Sequence, residues 1–348
     1  MTCARAVTVG PGGGQGYLPE LDGIRALAVL AVVAFHAKAP GFGGGFLGVD
    51  LFFVLSGFLI GRTLASEFLR TRTISIVGFY KRRLLRLTPA LFFMLALYGV
   101  LALCVGLGEQ AAREIPLAAL YLTDYSKGLS GVPTYLSHTW SLSVEQHFYL
   151  AAPLVLLPLF RAAPQALLVR LLLMLVVATL WRWWELLQSF NWWLIYARFD
   201  TRLSGLLLGM SFGVIGRQLP GAAGWAGFLA VGIAMAFAEW AKLTALVGWM
   251  LLAEVGALLL ILGAGGLTWL RVWPLIWLGR RSYGIYLWHY PLMLWMRKAG
   301  YSWEWTLPVG SAVAIVMAEV SYRWVETRFL RKRQPGASFE DRGVKGAV

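Results

Sequence analysis

Residues 25–36 read RALAVLAVVAFH, an arginine and a histidine separated by ten apolar residues. Eleven helical steps of about 100° return to nearly the same face while rising roughly 16 Å. Arg25 and His36 therefore lie on one line, at the two ends of a segment otherwise suited to hydrocarbon. Ionisable groups in such a place are costly and face a partner, a cavity or a substrate.

The rest of the chain has the same character. Of 348 residues, 59% are hydrophobic and 14% charged, and mean hydropathy is +0.66. That is too little charge to cover a soluble protein of this length, so the sequence predicts an all-α, polytopic integral membrane protein. A hydrocarbon core asks for roughly 20 apolar residues per helix, which divides the chain into about ten transmembrane helices. The candidates lie near 22–38, 46–65, 88–107, 146–160, 166–187, 203–216, 224–240, 243–263, 283–298 and 306–326.

Net charge is +14, yet the basic residues fall between the apolar runs, which points to cytoplasmic loops rather than nucleic acid. Arg70, Arg72, Lys81, Arg82, Arg83 and Arg86 follow the second run, and Arg328, Arg331, Lys332 and Arg333 follow the last. An even number of spans then puts both termini in the cytoplasm. The expected organisation is a flexible N-terminal tail over 1–17, a membrane-embedded domain over 18–330 and a C-terminal tail over 331–348. The Gly-rich start lacks the apolar core of a signal peptide, so the first insertion signal is the helix carrying Arg25. Cys3 and Cys104 have no redox or metal-ligand spacing.

His36 is the hardest residue to explain as structure alone. The next run opens GGGFLGVDLFFVLSGFLI (43–60), where Asp50 is the sole charge, and TWSLSVEQHFYL (139–150) brings Glu145 to the start of the fourth. Placed at similar depth, His36, Asp50 and Glu145 would form a proton-handling site, with Asp50 fixing the imidazole tautomer. Trp140, Ser141, Gln146 and His147 are the candidate acceptor contacts. At the other end, FYKRRLLRLTP (79–89) gathers Lys81, Arg82, Arg83 and Arg86, a cluster suited to a multiply charged phosphate ligand.

In order along the chain stand YLPELDGIRALAVLAVVAFH (17–36), GGGFLGVDLFFVLSGFLI, FYKRRLLRLTP, HTWSLSVEQHFYL, RFDTRLSGLLLG (198–209), SYGIYLWHYPL (282–292) and VSYRWVET (320–327). In this order and spacing the sequence resembles the acyltransferase 3 family of integral membrane O-acyltransferases. The resemblance implies about ten helices in a bacterial inner or plasma membrane. It also implies acyl-CoA, acetyl-CoA above all, as cytoplasmic co-substrate, with no bound cofactor or metal. The acceptor implied is a hydroxyl of a carbohydrate, glycolipid or glycosylated small molecule, such as lipopolysaccharide, another surface glycan or a macrolide-like glycoside.

The resemblance matches Arg25, His36, Asp50, Glu145, Arg82, Arg83 and Arg86 to the family's own motif positions. The sequence departs from it at His147 and Ala90, which bears on acceptor preference rather than on chemistry. The short stretch after Glu326 leads to the expectation that the membrane domain runs the reaction by itself, unless a separate protein accepts the acyl group. His36 acts in this reading as general base, or as a nucleophile that carries the acyl group. The rival is a proton-coupled transporter or exporter using His36, Asp50 and Glu145 as a relay.

Overall fold

The computed structural model of the protein describes residues 17–162, 166–188 and 191–331. The expected terminal tails lie outside the described residues, apart from Tyr17 and Arg331. Among the described residues every regular element is helical. In chain order they are α1 (Pro19–His36), α2 (Gly48–Thr71), α3 (Ile76–Cys104), α4 (Gly108–Ala119), α5 (Thr123–Ser130), α6 (Trp140–Ala162) and α7 (Leu167–Gln188). There follow α8 (Trp192–Tyr196), α9 (Leu203–Ile215), α10 (Gly221–Phe237), α11 (Met250–Leu262), α12 (Trp273–Lys298), α13 (Trp303–Ser321) and α14 (Thr327–Arg331).

Each of the ten expected segments is helical over most of its length, but among the described residues six helices are long and apolar enough to cross a membrane. These are Gly45–Thr71, Ile76–Cys104, Ser137–Arg161, Leu167–Gln188, Ala245–Leu262 and Trp303–Phe329. α9 and α10 are apolar but shorter. The other two, α1 and α12, carry the charges and histidines that build the site, and those polar residues are what removes them from a purely apolar count.

Local signals set the boundaries. Pro19 opens α1, and the Ser75 side chain accepts the Gly78 N–H to cap α3. α2 ends where Arg72 turns left-handed at φ 58° and its N–H returns to the Phe68 carbonyl. Between α3 and α6, the fully buried Glu114 accepts the backbone N–H groups of Thr134, Tyr135 and Leu136, so one carboxylate clamps the long connection.

Two close helix pairs position the site. α2 and α9 run parallel with Gly57 and Gly61 against Leu206 and Met210, and Gly209 and Gly213 against Val54 and Phe58. A Cβ at Gly209 would come within 1.9 Å of the Val54 carbonyl oxygen. Glycines four apart on both helices let the backbones touch, the small-residue packing typical of helices that associate in lipid. α1 and α12 also run parallel: a Cβ at Gly279 would come within 1.9 Å of the Asp22 carbonyl oxygen, and His36 meets His289 further along.

Candidate active site

α1 links two cavities. Near its start, Arg25 lines a cavity of about 90 Å³ with Arg83 and Arg86 of α3, Glu145 and Tyr149 of α6, and Ser56 of α2. At its end, His36 lines a cavity of about 220 Å³ with His138, Trp140, Tyr196, Tyr290, Lys38 and Arg297. Val49 and Tyr286 line both, so they form the partition between them. Tyr286 Oη donates to the His138 carbonyl at 2.9 Å and lies 2.6 Å from Ser141 Oγ.

In the arginine cavity the charges are partly balanced. Glu145 accepts from Ser56 Oγ at 2.6 Å and from Tyr149 Oη at 3.1 Å. The Arg83 guanidinium lies 5.2 Å from the Tyr149 ring centroid. Arg25 donates to Asp22 at 2.5 Å one turn away, and Arg86 forms no ion pair among the described residues. Of the expected phosphate cluster, Arg25, Arg83 and Arg86 converge. Arg82 turns instead to Glu67 at 3.2 Å, and Lys81 is exposed and lines neither cavity.

His36 and His138 line the histidine cavity and His289 is buried against both, and the tautomers of the three imidazoles follow from their partners. His289 Nδ1 lies 2.7 Å from the Tyr286 carbonyl oxygen and 3.2 Å from that of Ile285. A carbonyl can only accept, so in the neutral ring the proton sits on Nδ1 and the lone pair on Nε2. That lone pair faces His36 Nδ1 at 2.9 Å, which must then donate. His36 Nε2 is left bearing its lone pair. His138 Nε2 lies 3.1 Å from the Leu287 carbonyl, so its free lone pair is on Nδ1, which is buried without a partner among the described residues.

The expected His36, Asp50 and Glu145 cluster is not formed; the structure sets the three groups in three places. Asp50 is fully buried and accepts from Arg202 at 2.8 Å. The cause is helical rotation: Val49 faces both cavities, and the next residue points about 100° away, toward α9. Arg182 and Glu254, 3.5 Å apart, complete a buried group of two cations and two anions. Glu145 is separated by rise, lying five residues into α6 and so about 7.5 Å below Trp140.

The candidate acceptor contacts also divide. Trp140 lines the histidine cavity and Ser141 the arginine cavity, while Gln146 lines neither. His147 Nδ1 lies 3.1 Å from Asp124 and is held outside both. The residues that sequence reasoning left without a role are His138, Tyr286, His289 and Arg297. Three of the chain's four histidines thus pack together, two of them lining the cavity and His289 buried against both, a signal visible in their scarcity alone.

The sequence profile of a family described as "Acyltransferase domain" matches residues 18–320. O-acetyltransferase OatA of Staphylococcus aureus is 32% identical over 361 aligned residues, covering 91% of this chain and 58% of that protein. Peptidoglycan O-acetyltransferase OatA of Listeria monocytogenes is 28% identical over 344, covering 89% and 55%. The chain spans a little over half the length of these curated relatives. No solved structure matches.

Proposed function

The chain belongs to the acyltransferase 3 family and is a multi-pass membrane protein, and from that premise we propose that it is an O-acyltransferase carrying an acetyl group from acyl-CoA to a carbohydrate hydroxyl. The observation that carries this reading is one helix joining a phosphate-suited arginine cavity to a cavity with a free imidazole nitrogen. In it, Arg83, Arg86 and Arg25 take the phosphates of the donor. The pantetheine arm runs along α1 past Val49 and Tyr286, bringing the thioester to His36.

His36 Nε2 then takes the proton of the acceptor hydroxyl as its oxygen attacks the thioester carbonyl. The new C–O ester bond forms, the C–S bond breaks, and the proton passes on to the departing thiolate. His289 does the work first assigned to Asp50, since its Nε2 accepts the His36 Nδ1–H and fixes the reactive tautomer. The buried group of Asp50, Arg202, Arg182 and Glu254 is structural. Attack by His36 Nε2 on the thioester uses the same tautomer, so the acyl-histidine route needs no other arrangement.

The arginine cavity faces the cytoplasm in this reading, with about ten spans and both termini on that side. Helix directions support the count: α1 parallels α12 and α2 parallels α9, as the first and ninth, and the second and sixth, of ten spans must. A proton relay would need His36, Asp50 and Glu145 in one hydrogen-bonded line, which their three separate settings do not provide.

The test is acetyl transfer from labelled acetyl-CoA to a panel of glycans. His36→Ala is expected to lower turnover by about 10²–10⁴-fold with acetyl-CoA binding retained. Arg83→Ala and Arg86→Ala are expected to weaken donor binding. Wild-type turnover in His36→Ala would sink the proposal.

A further inference from the structure

The histidine cavity carries more than proton transfer requires. Lys38 and Arg297 both line it, and among the described residues no carboxylate does. Neither forms an ion pair with an acid among the described residues. Arg297 spends one N–H on the His36 carbonyl at 3.2 Å, which leaves the rest of its fork free. Two like charges kept together without an acid are unfavourable until an anion joins them.

The remaining lining has its own chemistry. His138 Nδ1 is a buried lone pair without a partner among the described residues, and the half-buried His36 carries a second lone pair on Nε2; both can only accept, and so both call for O–H donors. Trp193 and Trp240, with ring centroids 5.5 Å apart, add aromatic faces suited to the C–H faces of a sugar ring. Hydroxyl donors, an apolar ring face and a negative group are thus asked for together.

We propose that the acceptor is an anionic sugar, its carboxylate or phosphate held by Lys38 and Arg297 and its hydroxyls by His36 and His138. This rests on the acyltransferase reading of the same cavities and adds the class of substrate. The anion fixes the ring so that one hydroxyl meets His36 Nε2, which makes Lys38 a determinant of specificity.

The experiment uses the purified full chain in detergent with labelled acetyl-CoA and three matched acceptors: a methyl glucoside, the corresponding methyl glucuronoside and a sugar phosphate. At least one anionic acceptor is expected to show an apparent KM about tenfold or more below that of the glucoside, and the better of the two identifies carboxylate or phosphate as the anion. Lys38→Gln and Arg297→Gln are each expected to shrink that ratio, whereas Lys38→Arg should preserve it. Equal KM values for the glucoside and both anionic acceptors would overturn the proposal. So would a rate on the glucoside that rises with added anionic phospholipid and loses that rise in Lys38→Gln, because the cations would then serve a lipid headgroup.

Equilibrium binding without donor separates the two readings. Tighter binding of an anionic acceptor than of the glucoside, lost in Lys38→Gln, supports the anion site even in a protein that acylates nothing, an outcome that counts against the acyltransferase reading alone. Acylation of the glucoside at wild-type rate with no anion preference overturns the site and leaves that reading standing.

Discussion

At the residue scale the proposed acyl transfer turns on one proton. The Tyr286 carbonyl decides where it sits on His289, and His289 decides where it sits on His36. His289→Leu removes the acceptor for the His36 Nδ1–H, and kcat is expected to fall by up to about 10⁴-fold, the scale of an orienting residue in a catalytic triad, with the donor KM little changed. His289→Gln, whose amide oxygen can accept the same proton, is expected to restore part of kcat. Steady-state kinetics on the two variants check this; equal losses in both would make His289 a packing residue. His36 was legible from the sequence because a histidine inside an apolar helix has few structural excuses. Its partner was not, because the two lie 253 positions apart and nothing in a single sequence reports which distant helices touch. A carboxylate is the familiar partner for an imidazole, and Asp50 was the first to follow His36 in sequence. It was claimed instead by Arg202.

At the element scale, α2 and α9 are held by glycine contact and by the buried charges beside it. Gly209→Val drives a branched side chain into the α2 backbone, and a loss of at least about 1–3 kcal/mol is expected, read as a lower melting temperature in detergent. The ion pair behaves differently. The Arg202 guanidinium is wholly buried, with ring centroids of Phe53, Trp140 and Tyr196 at 5.4, 5.4 and 4.8 Å. Removing either partner strands a buried charge, so Arg202→Met and Asp50→Leu are each expected to cost about 3–5 kcal/mol. The double variant should recover most of it and, with it, acyl transfer. A double variant that folds yet transfers nothing would show that Asp50 serves the chemistry after all. The helices themselves were legible from apolar runs, Pro19 and the Ser75 cap. Depth and rotation were not: one residue past Val49 turns Asp50 away from the cavities, and five residues of α6 carry Glu145 toward the arginines.

At the scale of the whole molecule, α1 is a strut between two chemical settings, arginines at one end and imidazoles at the other, with Val49 and Tyr286 between them. Composition and the charge between apolar runs made the membrane class and the basic cluster legible. The partition was not legible, since it needs α1, α2, α6 and α12 packed together. In the account the donor meets the protein on the face of Arg83 and Arg86, and the acceptor on the face of Lys38 and Arg297. The most direct measurement is acetyl transfer in sealed proteoliposomes of known protein orientation, with labelled acetyl-CoA confined to one side and the glycan acceptor to the other. Product is predicted only when acetyl-CoA is on the arginine side and the acceptor on the histidine side, and none in His36→Ala. Equal product with donor and acceptor exchanged, or product in His36→Ala at the wild-type rate, would contradict it.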